Sequence, residues 1–177
     1  MNSKAERDES AFGDSAPEEK VVAQFFPEIP DDLPETIGQE KWQNIYEKLM
    51  GLNTQQKIRL AHIANLPIRM LLIQSPIKVI SLAVLKNPKL TESEVFRYAQ
   101  QKNLVDDVLL AIGKDPKWIK NYPIKLAIVS NPKTPLSLSV NFLSHLHDND
   151  LKALSRDKNI SAVLSRAAQQ MLVKRKK

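Results

Sequence analysis

Leu82-Ala83-Val84-Leu85-Lys86-Asn87-Pro88-Lys89 returns as Leu126-Ala127-Ile128-Val129-Ser130-Asn131-Pro132-Lys133. Both blocks are an apolar run closed by Asn-Pro-Lys. Each leads into a threonine, Thr91 or Thr134, that opens another helical stretch. A period of roughly forty residues marks a stacked helical array, in which neighbouring units bury one another's apolar faces. Outward from these blocks the chain reads as three units, opened at Thr54, Thr91 and Thr134, the first marked more weakly. Thr91-Glu92-Ser93-Glu94 has the form of a capping box, with the hydroxyl on one orphan N–H and the glutamate on another. Thr134-Pro135 reads as an N-cap followed by a proline whose missing N–H costs nothing at the first helical position. A second break falls inside each unit, at Ser75-Pro76, Asp115-Pro116 and Asp157-Lys158-Asn159. The third lacks the proline, and its last helix is predicted to start at Ser161. The unequal spacing of the threonines predicts an insertion around residues 120–123.

Between the breaks the apolar residues keep helical spacing. Trp42, Ile45, Tyr46 and Leu49 fall at i, i+3, i+4 and i+7. They predict a helix, ended by Gly51, that caps the first unit. Asn53-Thr54 starts the next helix. The first unit is predicted to hold helices near 55–64, 66–73 and 77–86. Strand alternation is nearly absent, and none of the four glycines sits in an Asn-Gly hairpin signal. The expected fold is all-α: a short right-handed α-solenoid, HEAT/armadillo-like, of about three repeats. Residues 39–177 form the repeat domain and residues 1–38 a disordered acidic tail.

Composition bounds the reading. At 177 residues, 42% hydrophobic and 26% charged, the chain suffices for one ordinary domain and a tail. The absence of cysteine excludes disulfides and thiolate metal sites and fits a reducing compartment. No apolar run approaches the roughly 18 residues of a membrane span. Residues 1–9 are polar, unlike a secretory signal, so a cytoplasmic location is expected. The charge is polarised. Residues 1–40 carry three basic and eleven acidic side chains, a net −8; the rest carry 23 and nine, a net +14. The acidic tail is either solubilising or folds back over the basic body, an intramolecular contact of residues 1–40 that competes with a partner. Val21-Val22-Ala23-Gln24-Phe25-Phe26-Pro27 interrupts it with an apolar cluster, and Pro27, Pro30 and Pro34 keep the backbone extended. Phe25 and Phe26 either pack on the first helix of the body or form a linear docking motif.

The segment Pro116-Lys117-Trp118-Ile119-Lys120-Asn121-Tyr122-Pro123, continued by the second block as far as Pro135, resembles part of small α-helical repeat proteins of delta-proteobacterial type. So does the segment from Val84 to Glu92. The Asn-Pro-x-Thr-Pro element is similar to the repeat of variant leucine-rich repeat proteins, which are helical solenoids. The resemblance covers roughly residues 54–172. It implies a helical stack and no activity. The iron–sulfur cluster that the variant leucine-rich family can carry on cysteines does not transfer to this cysteine-free chain.

Chemistry is sparse. His145-Leu146-His147-Asp148-Asn149-Asp150 has metal-ligand residue types, but i and i+2 on a helix point about 200° apart. Asp148-Asn149-Asp150 reads instead as a turn and N-cap for a helix beginning near Leu151. His62 sits on an apolar helix and reads as an edge-of-core residue. No phosphate loop, nucleophile elbow or His-Glu-x-x-His is present. The expectation is a protein that is not an enzyme and needs no metal or cofactor. The strongest candidate surface is Lys114, Lys117, Trp118, Lys120, Tyr122 and Lys125. If the helix is continuous, Trp118, Tyr122 and Lys125 share one side. Trp and Tyr there are either interface anchors or packing between repeats. The basic end, Arg166, Lys174, Arg175, Lys176 and Lys177, suits either the helix dipole or contact with phosphate or anionic lipid. The expected function is a protein-binding scaffold or adaptor. The alternative is a nucleic-acid-binding helical-repeat protein.

Overall fold

A computed structural model describes residues 38–176. Among them are eleven α-helices, one 3-10 turn and no strand. The helices are α1 (Gln39–Gly51), α2 (Thr54–Ile63), α3 (Leu66–Leu72), α4 (Lys78–Val84), α5 (Glu92–Gln100) and α6 (Asp106–Lys114). They continue as α7 (Pro116–Ile119), α8 (Tyr122–Ser130), α9 (Leu136–Phe142), the 3-10 turn Leu143–His145, α10 (Asp148–Arg156) and α11 (Ala162–Arg175). None of the described helices is long and apolar enough to cross a membrane.

Side chains rather than glycines make the stops, since no described residue has a positive φ. Gly51 is simply the last residue of α1, and the chain leaves it through an extended Leu52. Asn53 and Gln56 exchange side-chain and backbone bonds of 2.8 Å at the start of α2, a complete capping box. Thr91 and Glu94 do the same for α5. Asp115 accepts the Lys117 N–H at 2.8 Å, and Ser161 accepts the Leu164 N–H at 3.2 Å, so α7 and α11 begin where the sequence predicts. Just ahead of residues 120–123, where the insertion is expected, the chain forms the one-turn helix α7, and a break at Lys120-Asn121 follows it.

Three expectations are corrected. Thr134 is not the cap of α9, whose N-cap is Pro135. Its hydroxyl instead turns back to donate to the Ile128 carbonyl at 2.6 Å, near the end of α8, which also accepts the Asn131 N–H at 3.2 Å. The chain from 116 to 130 is not one helix. A proline at 123 inside such a helix would clash with the Ile119 carbonyl, so α8 restarts with Asn121 accepting the Ile124 N–H. Asp148, Asn149 and Asp150 fill the first turn of α10 rather than preceding it, which places two carboxylates at the positive end of the helix dipole.

The packing pairs helices across each predicted unit. α2 lies on α4, α5 on α8, and α11 on α10, α9 and the 3-10 turn. Contacts of α4 with α6 and of α8 with α9 link one segment to the next. One apolar cluster runs from Ile45 to Leu138. A second gathers Val129, Leu143, Leu146, Leu151, Leu154 and Leu164, and Phe142 touches both.

A charged knot sits inside the first cluster's span. Arg69 donates to both Glu94 oxygens at 2.8 and 2.9 Å and to the Ala64 carbonyl at 2.6 Å, joining α2, α3 and α5. Its side chain and that of Glu94 are 5% and 6% exposed. The second glutamate oxygen also accepts the Thr91 N–H at 3.1 Å and its hydroxyl at 3.0 Å. Tyr98 donates to the first at 3.4 Å. Burial, and then the neighbouring carboxylate charge, push the Tyr98 hydroxyl far above the ordinary tyrosine range.

Candidate partner-binding groove

The repeated Asn-Pro-Lys carries a specific tertiary tie. Asn87 donates its side-chain N–H groups to the Ala61 and Ala64 carbonyls, at 2.8 and 3.2 Å, at the C-terminal end of α2. Asn131 donates to the Ala99 and Gln101 carbonyls, at 2.7 and 2.8 Å, at the C-terminal end of α5. The two side-chain oxygens accept the N–H groups of Lys89 and Lys133, at 2.8 and 3.0 Å. Each asparagine therefore closes its own turn and satisfies carbonyls that a helix end leaves orphaned. The prolines leave the Asn side chain free to set that turn, because they offer no N–H of their own.

At the opposite end of the α5–α8 pair, Asn121 donates to the Glu92 carboxylate at 2.7 Å. Start is tied to start and end to end, so α5 and α8 run side by side in the same direction. Between them is an open, mostly apolar groove of about 470 Å³. Phe96, Gln100 and Lys102 line one wall, and Tyr122, Pro123, Leu126, Ala127 and Ser130 the other, with Asn131 at the end. Because both ends are bonded, the walls stand at a fixed separation before any ligand arrives.

Of the surface singled out in the sequence, only Tyr122 lines this groove. Its hydroxyl donates to the Asp150 carboxylate and accepts the His147 N–H at 2.9 Å, and its ring lies 4.4 Å from that of His147. Desolvation first, then the bond to Asp150, raise its pKa above the ordinary value. Tyr122 thus anchors α8 to α10 while offering one side of its ring to the groove. Trp118 is not an exposed anchor. It is 3% exposed and belongs to the core. The α7–α8 break also removes the common helical side expected for Trp118, Tyr122 and Lys125. Lys117 lies over the Trp118 ring, its Nζ 4.1 Å from the centroid, a cation–π contact on the outer edge. Lys114 and Lys120 are exposed, and Lys125 is half-buried. Two positions from both Pro123 and Ala127, Lys125 points roughly 200° away from them. Phe25 and Phe26 lie outside the described residues. Among the described residues, no group of three or more His, Asp or Glu side chains is placed to hold a metal ion.

A second opening of about 370 Å³ lies between α10 and α11, lined by Lys152, Ser155, Arg156, Gln169, Leu172, Val173 and Lys176. Its three cations take part in none of the ion pairs among the described residues, which are Arg69–Glu94, Lys78–Asp107 and Arg175–Asp148.

The sequence reading missed Phe96, Gln100, Lys102 and Leu126. A signal was present in α8. Ile124 and Ile128 form its buried face, yet Leu126 and Ala127 make the far side apolar too. A helix apolar all round has one face more than a single core contact needs.

Comparison of the chain with protein-family models, with curated proteins and with solved structures gives no match.

Proposed function

We propose that this protein is a non-enzymatic scaffold or adaptor that binds an extended peptide of a partner protein in the α5–α8 groove. In this reading the chain is a short right-handed α-solenoid of HEAT/armadillo kind, akin to the variant leucine-rich and delta-proteobacterial helical repeats, working in the cytoplasm. The asparagine tie made twice, each time to two carbonyls at the end of an earlier helix, supports the repeat. The observation that carries the function is the apolar groove whose two walls are fixed at both ends. Aromatic side chains held in place lose little freedom on binding, which is how preorganised sites gain affinity.

The test is selection of peptides from a random display library against the full chain, followed by anisotropy titration of a labelled winner. Leu126→Glu, with its helical circular dichroism unchanged, is expected to weaken binding at least about tenfold, or about 1.4 kcal/mol. Lys117→Ala with Lys120→Ala is expected to leave it unchanged. Winners indifferent to both Leu126→Glu and Phe96→Glu would reject the groove.

The unpaired cations of the α10–α11 opening favour one rival, binding of nucleic-acid phosphates. That reading requires a mobility shift at low salt that fades steeply toward physiological salt and is lost in the double variant K152E/R156E.

A further inference from the structure

We propose that the α5–α8 groove is closed in the resting protein by the chain's own segment Val21-Val22-Ala23-Gln24-Phe25-Phe26-Pro27, which a partner peptide must displace. This rests on the groove being a peptide site. Three observations select this occupant.

The first is chemistry. The groove offers an apolar floor, Leu126 and Ala127, between two aromatic side chains, Phe96 and Tyr122. The segment presents adjacent phenylalanines in an otherwise polar stretch. Pro27 lacks an N–H and favours extended backbone, so that end of the segment can lie in a groove with fewer unmet donors.

The second is charge. Glu18, Glu19 and Lys20 precede the apolar cluster, and Glu28, Asp31 and Asp32 follow it, so the flanks are net acidic. At the end of the groove marked by Asn131, Lys102 lines the wall and Lys133 is two residues beyond that asparagine. Both lysines are exposed and neither is in an ion pair among the described residues. An apolar centre with acidic flanks thus meets an apolar groove with a basic end.

The third is reach. Eleven residues separate Phe26 from Gly38, just ahead of α1. Extended, they span about 40 Å. That matches the diameter of a compact body of this size, whose radius of gyration scales to about 14 Å. A tether that can reach the groove makes docking intramolecular, so the segment competes at an effective concentration set by the tether rather than by the bulk. Modest intrinsic affinity is then enough to keep it occupied.

A fluorescein-labelled peptide of residues 18–35 tests this by anisotropy against three full-length chains: wild type, F25D/F26D, and F25D/F26D carrying Leu126→Glu. The peptide is expected to bind the F25D/F26D chain roughly tenfold more tightly than wild type, because the competing segment is gone. Leu126→Glu is expected to abolish that binding. Equal affinity for wild type and F25D/F26D would overturn closure within the chain, and so would tight binding that ignores Leu126→Glu. If the peptide binds neither chain while a display-selected peptide still binds the groove, the closure fails and the groove reading survives. If the selected peptide fails as well, both fall. Sedimentation of wild type is expected to give a monomer. A dimer abolished by F25D/F26D would mean that the segment crosses between copies, which overturns the proposal.

Discussion

Asn87 and Asn131 in the middle of the molecule do what Arg175 does at its end, with opposite chemistry. Each asparagine is a buried, neutral amide bonded to two carbonyls of an earlier helix. Arg175, on the last turn of α11, donates to the Ser144 and Leu146 carbonyls at 2.6 and 2.8 Å and to Asp148 at 2.8 Å. Those carbonyls lie at and just beyond the 3-10 turn that ends the α9 segment, the position the asparagines serve elsewhere. The contrast follows burial. Inside, a charge would need full compensation, so a short amide serves. At the edge, the long guanidinium reaches three acceptors and keeps part of itself in water.

The Arg69–Glu94 pair sharpens the contrast, because it is a charge placed inside with every lone pair accounted for. Glu94→Ala leaves the guanidinium buried without a counter-charge, and a loss of about 4 kcal/mol is expected in urea denaturation. A loss below about 1 kcal/mol would mean that water reaches Arg69. Asn131→Ala comes next. It strips two carbonyls and the Lys133 N–H of their partner, and unsatisfied buried groups cost about 1–3 kcal/mol each. Since helix-end carbonyls relax toward water, the expected total is about 3 kcal/mol, with little dependence on salt. Arg175→Ala has the smallest expected effect, about 1 kcal/mol. Its pairing with Asp148 is 30% and 55% exposed, so solvent screens it. That loss is expected to shrink further in 1 M salt, where the Debye length is about 3 Å. Equal salt dependence in N131A and R175A would erase the distinction between neutral and charged ties.

Local signals carried most of the helix pattern. Capping at Asn53, Thr91, Asp115 and Ser161 is a matter of three residues or fewer, and all four were readable. Thr134 misled because a threonine hydroxyl can accept forward from a helix start or donate back to a helix end, and the sequence does not choose. The shared side of Trp118, Tyr122 and Lys125 is conditional on a continuous helix, and Pro123 is the local signal against that condition. The asparagine targets were out of reach for a different reason. They lie 23 to 32 residues upstream, and an Asn-Pro pair is fully accounted for locally as a turn, so nothing in its neighbourhood signals a distant partner. The groove is harder still. It exists because α5 and α8 are fastened at both ends, and no stretch of either helix encodes the gap between them.

The proline after each clamping asparagine has a chemical consequence. Asparagine ages chiefly when the next residue's backbone nitrogen, stripped of its proton, attacks the side-chain carbonyl to form a succinimide. Pro88 and Pro132 have no proton there to lose. The two amides that tie the helices together are shielded from the usual route to aspartate, a change that would replace a donor with a carboxylate facing two carbonyl oxygens.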